Sequence, residues 1–368
     1  MAEHIQMTPR VQLGVLTQYI EKEIDATVRK SVVLDQCMKR GKMTYREGGP
    51  DMAWLPKFVA RKITAGTGYP RMTFPSTPVE RKASLPYREY HLGESVPLMD
   101  RLAVQNSSLV VSNRLQNVAE QCTRDFVVDL ATKVYGDGHV AGSKDIHGFE
   151  SMYGTVASPN ELLTYSPVAD PSDTYATLHT DLGYYNGDWT AVSGGSWPTG
   201  SGDTSYAAWS PMIIDYNNTL LGGTTANWAN QWQQAIRYAL MYTELLTSEQ
   251  PDVLCLNPGL LMSAKNSLIS NQQIQITAAA QDVDTGYKVL KFDGLDIVTE
   301  YGPMEAVGYF VNFSKLAIRC MTSKLVEMQT DQDIVTLSDL KALYSVLNMQ
   351  FDAPPFFPKL QGISTAGT

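Results

Sequence analysis

Apolar residues recur at steps of three and four in three segments of the chain, which is the spacing of an amphipathic helix. The first segment covers residues 11–40, the second runs from about Ser108 to Tyr135, and the third covers residues 224–246. The second is the clearest, and at about 1.5 Å per residue it predicts a spine helix about 40 Å long. Its apolar positions are Val111, Leu115, Val118, Cys122, Phe126, Leu130 and Val134. Those of the first segment are Leu13, Leu16, Ile20, Ile24 and Val28, and those of the third are Trp228, Trp232, Ala235, Ala239, Tyr242 and Leu246.

Shorter apolar runs predict strands in the second half of the chain. "DVLCL" has the pattern of a buried strand, and "PGLLMSAKNSLIS" after it that of a short helix opened by Pro258. "YKVLKF" and "LDIVTE" are joined across "DG", the signal of a tight hairpin. "YFVNFSKLAIRCM" is strand-like, and "LKALYSVLNMQFDAPPFFPKL" predicts one long strand stopped by its prolines. Together with the helices, these strands predict an α+β fold.

Two segments carry weaker patterns. Residues 54–98 contain six prolines, which exclude a long helix, while "RMTF" and "YREYHL" fit extended pieces. We interpret this segment as a protruding hairpin and call it the arm. Residues 139–225 are rich in Gly, Ser, Thr, Tyr, Trp and Asp, which predicts strands and long loops.

Charge is scarce and unevenly distributed. Charged residues make up 18% of the chain and the net charge is −9, which disfavours bulk nucleic-acid binding. Between Trp54 and Tyr90, however, seven bases face two acids, and between His139 and Leu260 twelve acids face two bases. We expect the arm to reach onto the acidic lobe of a neighbouring copy, a reading that we favour over stacking on single-stranded nucleic acid. The seven predicted contact residues are Lys57, Arg61, Lys62, Arg71, Arg81, Lys82 and Arg88.

The residues that could carry chemistry form no site. "ATKVYGDGHVAGSKDIHGFE", residues 131–150, has the glycines and the lysine of a phosphate loop in the wrong order, and its acids lack calcium-loop spacing. We interpret it as the exit of the spine helix. The five histidines form no metal-binding pair, and no nucleophile motif is present, so we expect no catalytic residue, metal or cofactor.

Composition also bears on compartment. The four cysteines, Cys37, Cys122, Cys255 and Cys320, are widely spaced, which is typical of buried thiols in a reducing compartment. The beginning of the sequence lacks a signal-peptide pattern, and no apolar run reaches membrane-spanning length, so we expect a cytoplasmic protein.

Five of the six tryptophans lie in the acidic lobe and leave a second class of function open. Trp189, Trp197, Trp209, Trp228 and Trp232 could form sugar-binding platforms, as in a carbohydrate-binding protein or glycosidase. Two of them share one helix face, and large aromatic side chains mostly supply core area, so we favour core positions.

Three stretches give the chain a resemblance to the major capsid proteins of tailed bacteriophages, the Hong Kong ninety-seven type. "VQNSSLVVSNRLQNVAEQCTRDFVVDLATKVYGDG", leading to "IHGFESMYGTV", resembles that family's spine helix and exit. "SDTYATLHTDLGYYNGDW" resembles its Tyr-rich segment. "GYKVLKFDGLDIVTEYGPMEAVGYFVNFSKLAI", reaching "FFPKLQGIS", is similar to its closing pattern of a hairpin, an Asn-containing strand and a terminal strand.

The resemblance implies a shell protein made of named parts. These are an N-terminal arm at 1–50, an extended E-loop at 51–100, a P-domain spine helix at 101–138, an A-domain at 139–280, and P-domain strands with the C-terminal strand at 281–368. Some relatives join subunits covalently through a Lys and an Asn. Lys57, Lys62, Lys82 and Asn312, the last in a late strand, are of the right types, but no motif selects a pair and we infer no cross-link.

The same resemblance implies the partners. The chain would form hexamers and pentamers of an icosahedral shell around double-stranded DNA, without sequence-specific contact, and would be assembled in the bacterial host's cytoplasm. Scaffolding, portal and decoration proteins would be separate chains, and no membrane is involved. An encapsulin-like compartment shell is the alternative within the same fold. Reversal of Arg81 and Lys82 to Glu is expected to block assembly while leaving each subunit folded.

Overall fold

A computed structural model describes most of the chain. It covers residues 31–58, 79–97, 108–139, 142–153, 163–164, 174–180, 204–217, 227–270, 290–300, 302–303, 306–333 and 338–362. The side chains of residues 108–120 are not described. The apolar positions from Leu13 to Val28, the "RMTF" stretch, Trp189 and Trp197 lie outside the described residues.

Four α-helices form in the described part of the chain, and the predicted spine helix is among them. They are α1 (Val32–Lys39), α2 (Ser108–Lys133), α3 (Trp228–Thr247) and α4 (Pro258–Ser270). The spine helix, α2, has 26 residues, and its positions Phe126 and Leu130 are buried as the spacing predicts. In α3 the predicted apolar face is also buried, and Asn227 caps the helix by accepting a 3.0 Å hydrogen bond from Asn230 N through its Oδ1.

Sixteen strands accompany these helices in the described residues. In the first half of the chain they are β1 (Met43–Thr44), β2 (Asp51–Trp54), β3 (Ala83–Pro86), β4 (Arg88–Pro97), β5 (Leu163–Thr164), β6 (Thr174–Tyr175), β7 (Leu178–His179) and β8 (Ile213–Asp215). In the second half they are β9 (Val253–Leu256), β10 (Leu290–Phe292), β11 (Leu295–Thr299), β12 (Val307–Val311), β13 (Leu316–Cys320), β14 (Glu327–Asp333), β15 (Ser338–Phe351) and β16 (Lys359–Gln361).

Two large sheets organise the strands. A five-stranded sheet is built on the 14-residue β15, which pairs antiparallel with β4 on one side and with β13 and β14 on the other. A seven-stranded sheet has the order β10-β11-β9-β12-β16-β8-β5. The pairs β2–β3 and β6–β7 form small antiparallel sheets of their own. The predicted "DG" hairpin joins β10 to β11, with positive φ at Asp293 and Gly294 as a tight two-residue turn requires.

The seven-stranded sheet is the wall between two hydrophobic cores. Successive side chains of a strand point to opposite faces, and both faces of this sheet are buried. Leu254 and Phe310 pack with α3 and α4 in one core, while Cys255 and Tyr309 pack in the other core with residues from the end of α2. The predicted strand "DVLCL" is therefore buried throughout because each of its faces covers a different core.

Two strand predictions need correction. "YFVNFSKLAIRCM" is not one strand: β12 belongs to the seven-stranded sheet and β13 to the five-stranded sheet. Asn312 lies in the turn between them and not in a strand, with its Oδ1 accepting a 2.9 Å hydrogen bond from Ser314 N. Strand β14, "EMQTDQD", was not predicted, because it pairs with β15 through its backbone while its polar side chains carry no apolar pattern.

Candidate subunit interface

The base of the arm is an antiparallel hairpin, as predicted. Strand β2 pairs with β3, and the pairing continues through a bridge between Lys57 and Glu80. Phe58 N donates to Val79 O at 2.8 Å, so the two chain segments are still side by side where the described part of the arm ends. Residues 59–78, which contain Arg61, Lys62 and Arg71, lie outside the described residues.

An aromatic cluster attaches this hairpin to the body of the protein. The Phe58 ring stacks on Trp209 with a centroid distance of 5.5 Å, and Trp54 lies 6.2 Å from Tyr175. Tyr175 connects the cluster to the five-stranded sheet, because its hydroxyl accepts a 3.0 Å hydrogen bond from Phe351 N. Trp209 is fully buried, as are most atoms of Trp228 and Trp232 in α3. The prediction that these tryptophans are core residues is confirmed for the three that are described.

The four described contact candidates differ in what they touch. Lys57 and Lys82 are exposed, and within the described chain no hydrogen bond or ion pair of their side chains is found. Arg81 donates to the Tyr206 hydroxyl at 2.6 Å, and its guanidinium lies 4.5 Å from the centre of that ring. Arg88 is half-buried, with its Nε enclosed and unbonded, and its charge acts on His147 in the interior.

These contacts change the expectation for the charge reversal of Arg81 and Lys82. A glutamate at position 81 would lose the hydrogen bond to Tyr206 and the cation–π contacts with Tyr206 and Phe58. It would therefore disturb the base of the arm within one subunit. Among the four described candidates, Lys57 and Lys82 are those at which a charge-reversing substitution should disturb the fold least.

Most of the described acids of the acidic lobe are paired with bases of the same subunit. Four of its acids pair with bases from outside the lobe, so their charge does not form an open acidic surface. The pairs are Asp145–Lys133 at 3.0 Å, Glu150–Lys359 at 2.8 Å, Glu249–Lys315 at 3.1 Å and Asp252–Arg40 at 3.1 Å. Asp215 is fully buried and accepts a 2.9 Å hydrogen bond from Asn217 N. Six further acids of the lobe lie outside the described residues.

A groove opens beside the base of the arm. It measures about 670 Å³, and its walls include Trp54, Trp209 and Phe356. Two leucines on its rim, Leu55 and Leu245, are 63% and 67% exposed. Leucines this exposed at the rim of an aromatic groove add apolar surface that the described part of the chain does not cover.

The exit of the spine helix is a buried junction, and its interpretation as a helix exit is confirmed. The helix ends at Lys133, and the chain then turns back so that Phe149 N donates to Val134 O at 2.9 Å. Gly138 N donates to Ser151 Oγ at 2.8 Å and closes the loop. In the described residues no group of three or more histidines, cysteines or acids is arranged to hold a metal ion.

A buried ion pair ties this junction to the last strand. Lys359 Nζ in β16 lies 2.8 Å from Glu150 Oε2, and both side chains are largely buried. The Tyr309 hydroxyl donates to the other carboxylate oxygen, Oε1. The Lys359 ammonium also lies 5.2 Å from the centre of the Tyr153 ring. Burial and the Glu150 charge raise the pKa values of Tyr309 and Tyr153, so both hydroxyls stay protonated.

His147 makes the same junction sensitive to acid. Both of its ring nitrogens are buried without a hydrogen-bond partner, and its ring centre lies 4.6 Å from that of His139. Burial, with the nearby charges of His139 and Arg88, lowers the pKa of His147 from 6.5 to about 3. The folded state therefore keeps His147 neutral at pH values where the unfolded chain protonates it.

Acidification is expected to destabilise the chain through His147. The contribution of His147 to the free energy of unfolding is constant above pH 6.5. It is lost as the pH falls from 6.5 towards 3, because only the unfolded state takes up the proton in that range. Between pH 7.5 and pH 5 the loss should be about 2 kcal/mol. Urea unfolding of wild type and His147→Gln at both pH values measures it, since other titrating groups cancel in the difference. An equal pH dependence in the two proteins would contradict the assignment.

Comparison with known proteins gives a fold but no sequence relative. No protein-family model matches the sequence, and no curated protein sequence matches it. Among solved structures, the chain is similar to a chain of the cyanophage A-1(L) capsid asymmetric unit, at 14% identity and a TM-score of 0.60, over 94% of this chain and 96% of that one.

Two other capsid chains show the same likeness. For the capsid of the native GTA particle the identity is 9% and the TM-score 0.52, over 94% of this chain and 96% of that one. For the mature capsid of bacteriophage PhiM1 the identity is 12% and the TM-score 0.50, over 95% of this chain and 91% of that one. The chain thus has the α+β fold of phage capsid proteins of the Hong Kong ninety-seven type, and the fold predicted from the sequence is confirmed.

Proposed function

We propose that the chain is the major capsid protein of a tailed bacteriophage, a structural subunit without catalytic residues. Copies would assemble through pentamers and hexamers into an icosahedral shell that encloses double-stranded DNA. The observation that carries this proposal is the extent of the likeness, because 94% of the chain aligns with 96% of the cyanophage capsid chain. Both chains are therefore covered over nearly their whole length by the same fold.

The parts of the subunit would follow the predicted boundaries: N-terminal arm 1–50, E-loop 51–100, spine helix 101–138, A-domain 139–280, and P-domain and C-terminal strands 281–368. The arm hairpin and the continuation of its second segment as β4 support the E-loop assignment, since β4 ties the loop to the five-stranded sheet. The seven-stranded sheet takes β5, β8 and β9 from before residue 280 and its other strands from after it. The A-domain and the last segment would therefore move as one packed unit.

The self-contact would use the exposed surface at the base of the arm. Lys57 and Lys82 offer positive charge there, and Leu55 and Leu245 offer apolar area beside it. Charges at the rim of an interface set orientation and suppress wrong contacts, while the apolar centre supplies the affinity. Arg61, Lys62 and Arg71 would extend the same surface along the arm, whereas Arg81 and Arg88 would hold the arm to its own subunit.

Other partners would follow from the task of a shell. The net charge of −9 suits an inner wall that does not hold DNA tightly, because phosphate contacts need clustered bases. Scaffolding, portal and decoration proteins would be separate chains, and the shell would be assembled in the cytoplasm of the bacterial host. No helix in the described part of the chain is long and apolar enough to cross a membrane.

The alternatives differ in what they predict for the purified particle. An encapsulin-like shell has the same fold and would contain protein cargo instead of DNA. A carbohydrate-binding protein would use exposed tryptophans, but the described tryptophans of the acidic lobe, Trp209, Trp228 and Trp232, are buried.

Sedimentation and negative-stain imaging of the purified protein test the assignment. We expect closed shells, or rings of five or six copies, in the fastest fraction. Lys57→Glu/Lys82→Glu should abolish these particles while the subunit keeps its far-ultraviolet circular dichroism, because the charge of the proposed contact surface is then reversed. A stable monomer whose tryptophan fluorescence changes with sugar would contradict the proposed function.

The double reversal needs a control of equal charge. Lys144→Glu/Lys324→Glu makes the same change in net charge at two other exposed lysines. Particles should still form from this control. If both double variants fail to assemble, net charge and not the arm surface is responsible, and the proposed contact is wrong.

A further inference from the structure

A buried carboxylate lies beside the beginning of α1. Glu300, just after β11, is 3% exposed, and its own backbone N donates to Leu256 O at 3.1 Å. Its Oε1 accepts hydrogen bonds from Ser31 Oγ at 2.7 Å and from Val32 N at 3.1 Å. Ser31 is the N-cap of α1, so the carboxylate holds the first turn of the helix that follows residues 1–30.

In the part of the chain that the structure describes, no positively charged group pairs with Glu300. The titratable groups that face it are Cys37 from α1, Tyr135 from the turn after α2, and Cys255 from β9. Tyr135 is buried beside it but does not complete a hydrogen bond of ordinary geometry with Oε2, which stays without a partner. Arg40 and Lys42 lie towards the other end of α1, where they act on Cys37.

Glu300 is the group of this cluster that changes charge near neutral pH. Burial raises its pKa from 4.5 to about 7, against the opposing effect of the hydrogen bonds from Ser31 Oγ and Val32 N. Burial also raises the pKa of Cys37 to about 12 and those of Tyr135 and Cys255 well above their usual values. Those three groups therefore stay protonated between pH 6 and pH 8.

We propose that Glu300 is a proton-sensitive latch for the beginning of α1: it holds Ser31 and Val32 while its carboxyl is neutral and releases them when the carboxyl is charged. The direction follows from solvation. A neutral carboxyl is tolerated in this enclosed site, whereas a carboxylate without a cation is stabilised when the site opens to water. Because the closed site has the higher affinity for the proton, raising the pH favours the open site.

The size of the effect follows from the two pKa values. If opening restores the ordinary value of 4.5 from about 7, the opening equilibrium should increase about ten-fold between pH 6 and pH 8. The device does not depend on assembly, because every group in it belongs to one subunit. It would make the opening of the first turn of α1 respond to pH in each subunit.

Hydrogen exchange of the full-length protein tests the latch. Exchange of the Val32–Lys39 amides, corrected for the intrinsic effect of pH, should become about ten-fold faster at pH 8 than at pH 6. In Glu300→Gln, which keeps an acceptor oxygen but cannot ionise, the corrected rates should be equal at both pH values. The first amides of α3 are the internal control, because their cap, Asn227, does not titrate. Sedimentation at both pH values ensures that the same oligomeric state is compared.

A second variant keeps the test decisive if Glu300→Gln does not fold. Ser31→Ala removes one hydrogen bond to Glu300 but leaves the carboxyl, so exchange should be faster at both pH values and should still rise with pH. Corrected rates in wild type that do not rise from pH 6 to pH 8, or an equal rise in Glu300→Gln, would overturn the latch. Neither result bears on whether the chain forms shells.

Discussion

Replacement of Lys359 by methionine is expected to lower the free energy of unfolding of the unassembled chain by about 3–5 kcal/mol. Methionine keeps most of the length of the side chain but removes the ammonium that lies 2.8 Å from Glu150 Oε2. The Glu150 carboxylate is only 14% exposed, so its charge would stay largely enclosed with no cation beside it. The remaining hydrogen bond from Tyr309 does not neutralise that charge. Urea denaturation followed by tryptophan fluorescence measures the loss.

Lys315→Met provides the matched control for this ion pair. Lys315 Nζ lies 3.1 Å from Glu249 Oε1, but the two side chains are 29% and 40% exposed, and water screens the interaction. Removal of this exposed ion pair should lower the free energy of unfolding by less than about 1 kcal/mol. If both variants lose the same small amount, the Lys359–Glu150 pair does not connect the helix exit to β16 in the way that its burial indicates.

The helices and their buried faces could be predicted because the cause is local. In α3, apolar side chains at a spacing of three or four residues form one face, and Asn227 marks the first turn. In β15, a long run of strand-forming residues ends at a pair of prolines that cannot continue the ladder. Neither conclusion needs knowledge of the partner, since propensity and pattern agree along one continuous segment.

Strand β14 and the turn at Asn312 could not be predicted in the same way. Strand β14 forms because its backbone pairs with that of β15. The polar side chains of β14 show no pattern from which this pairing could be predicted. The turn between β12 and β13 interrupts an apolar run, and its signal is the single Asn side chain that accepts a hydrogen bond from Ser314 N. A single polar residue of this kind does not change the hydrophobic pattern of the surrounding run, so the pattern still predicts one strand.

The charges that are clustered along the chain are distributed differently in the fold. Counted along the chain, residues 139–260 form an acidic lobe, but Glu150 is paired with a lysine 209 residues away. Asp252 is likewise paired with Arg40. A linear count places these bases in other segments, whereas the fold brings them to the acids. Of the predicted contact residues, Arg81 donates a hydrogen bond to Tyr206 and the charge of Arg88 acts on His147 within the subunit, and the contact between subunits stays a prediction for all seven.

Gly148→Ala is expected to destabilise the chain by about 3 kcal/mol. A Cβ at this position would lie 2.7 Å from Gly136 O and closer still to Val134 O, which are backbone atoms that cannot rotate away. Val134 O also accepts the hydrogen bond from Phe149 N, and Val134 and Phe149 are fully buried. The added methyl group must therefore separate the helix exit from the segment that returns to it. The φ of Gly148 is −80°, so the cost comes from the contact and not from backbone strain.

The control for this substitution is Gly93→Ala in β4, where a Cβ meets nothing within 4 Å. Its free energy of unfolding should stay within about 0.5 kcal/mol of the wild-type value. Urea unfolding of the two variants separates the effect of the close approach from that of any added methyl group. Equal stability of Gly148→Ala and Gly93→Ala would mean that the helix exit can relax. The spine helix would then not be fixed to the strands through this loop, and the loop would be only a connection between them.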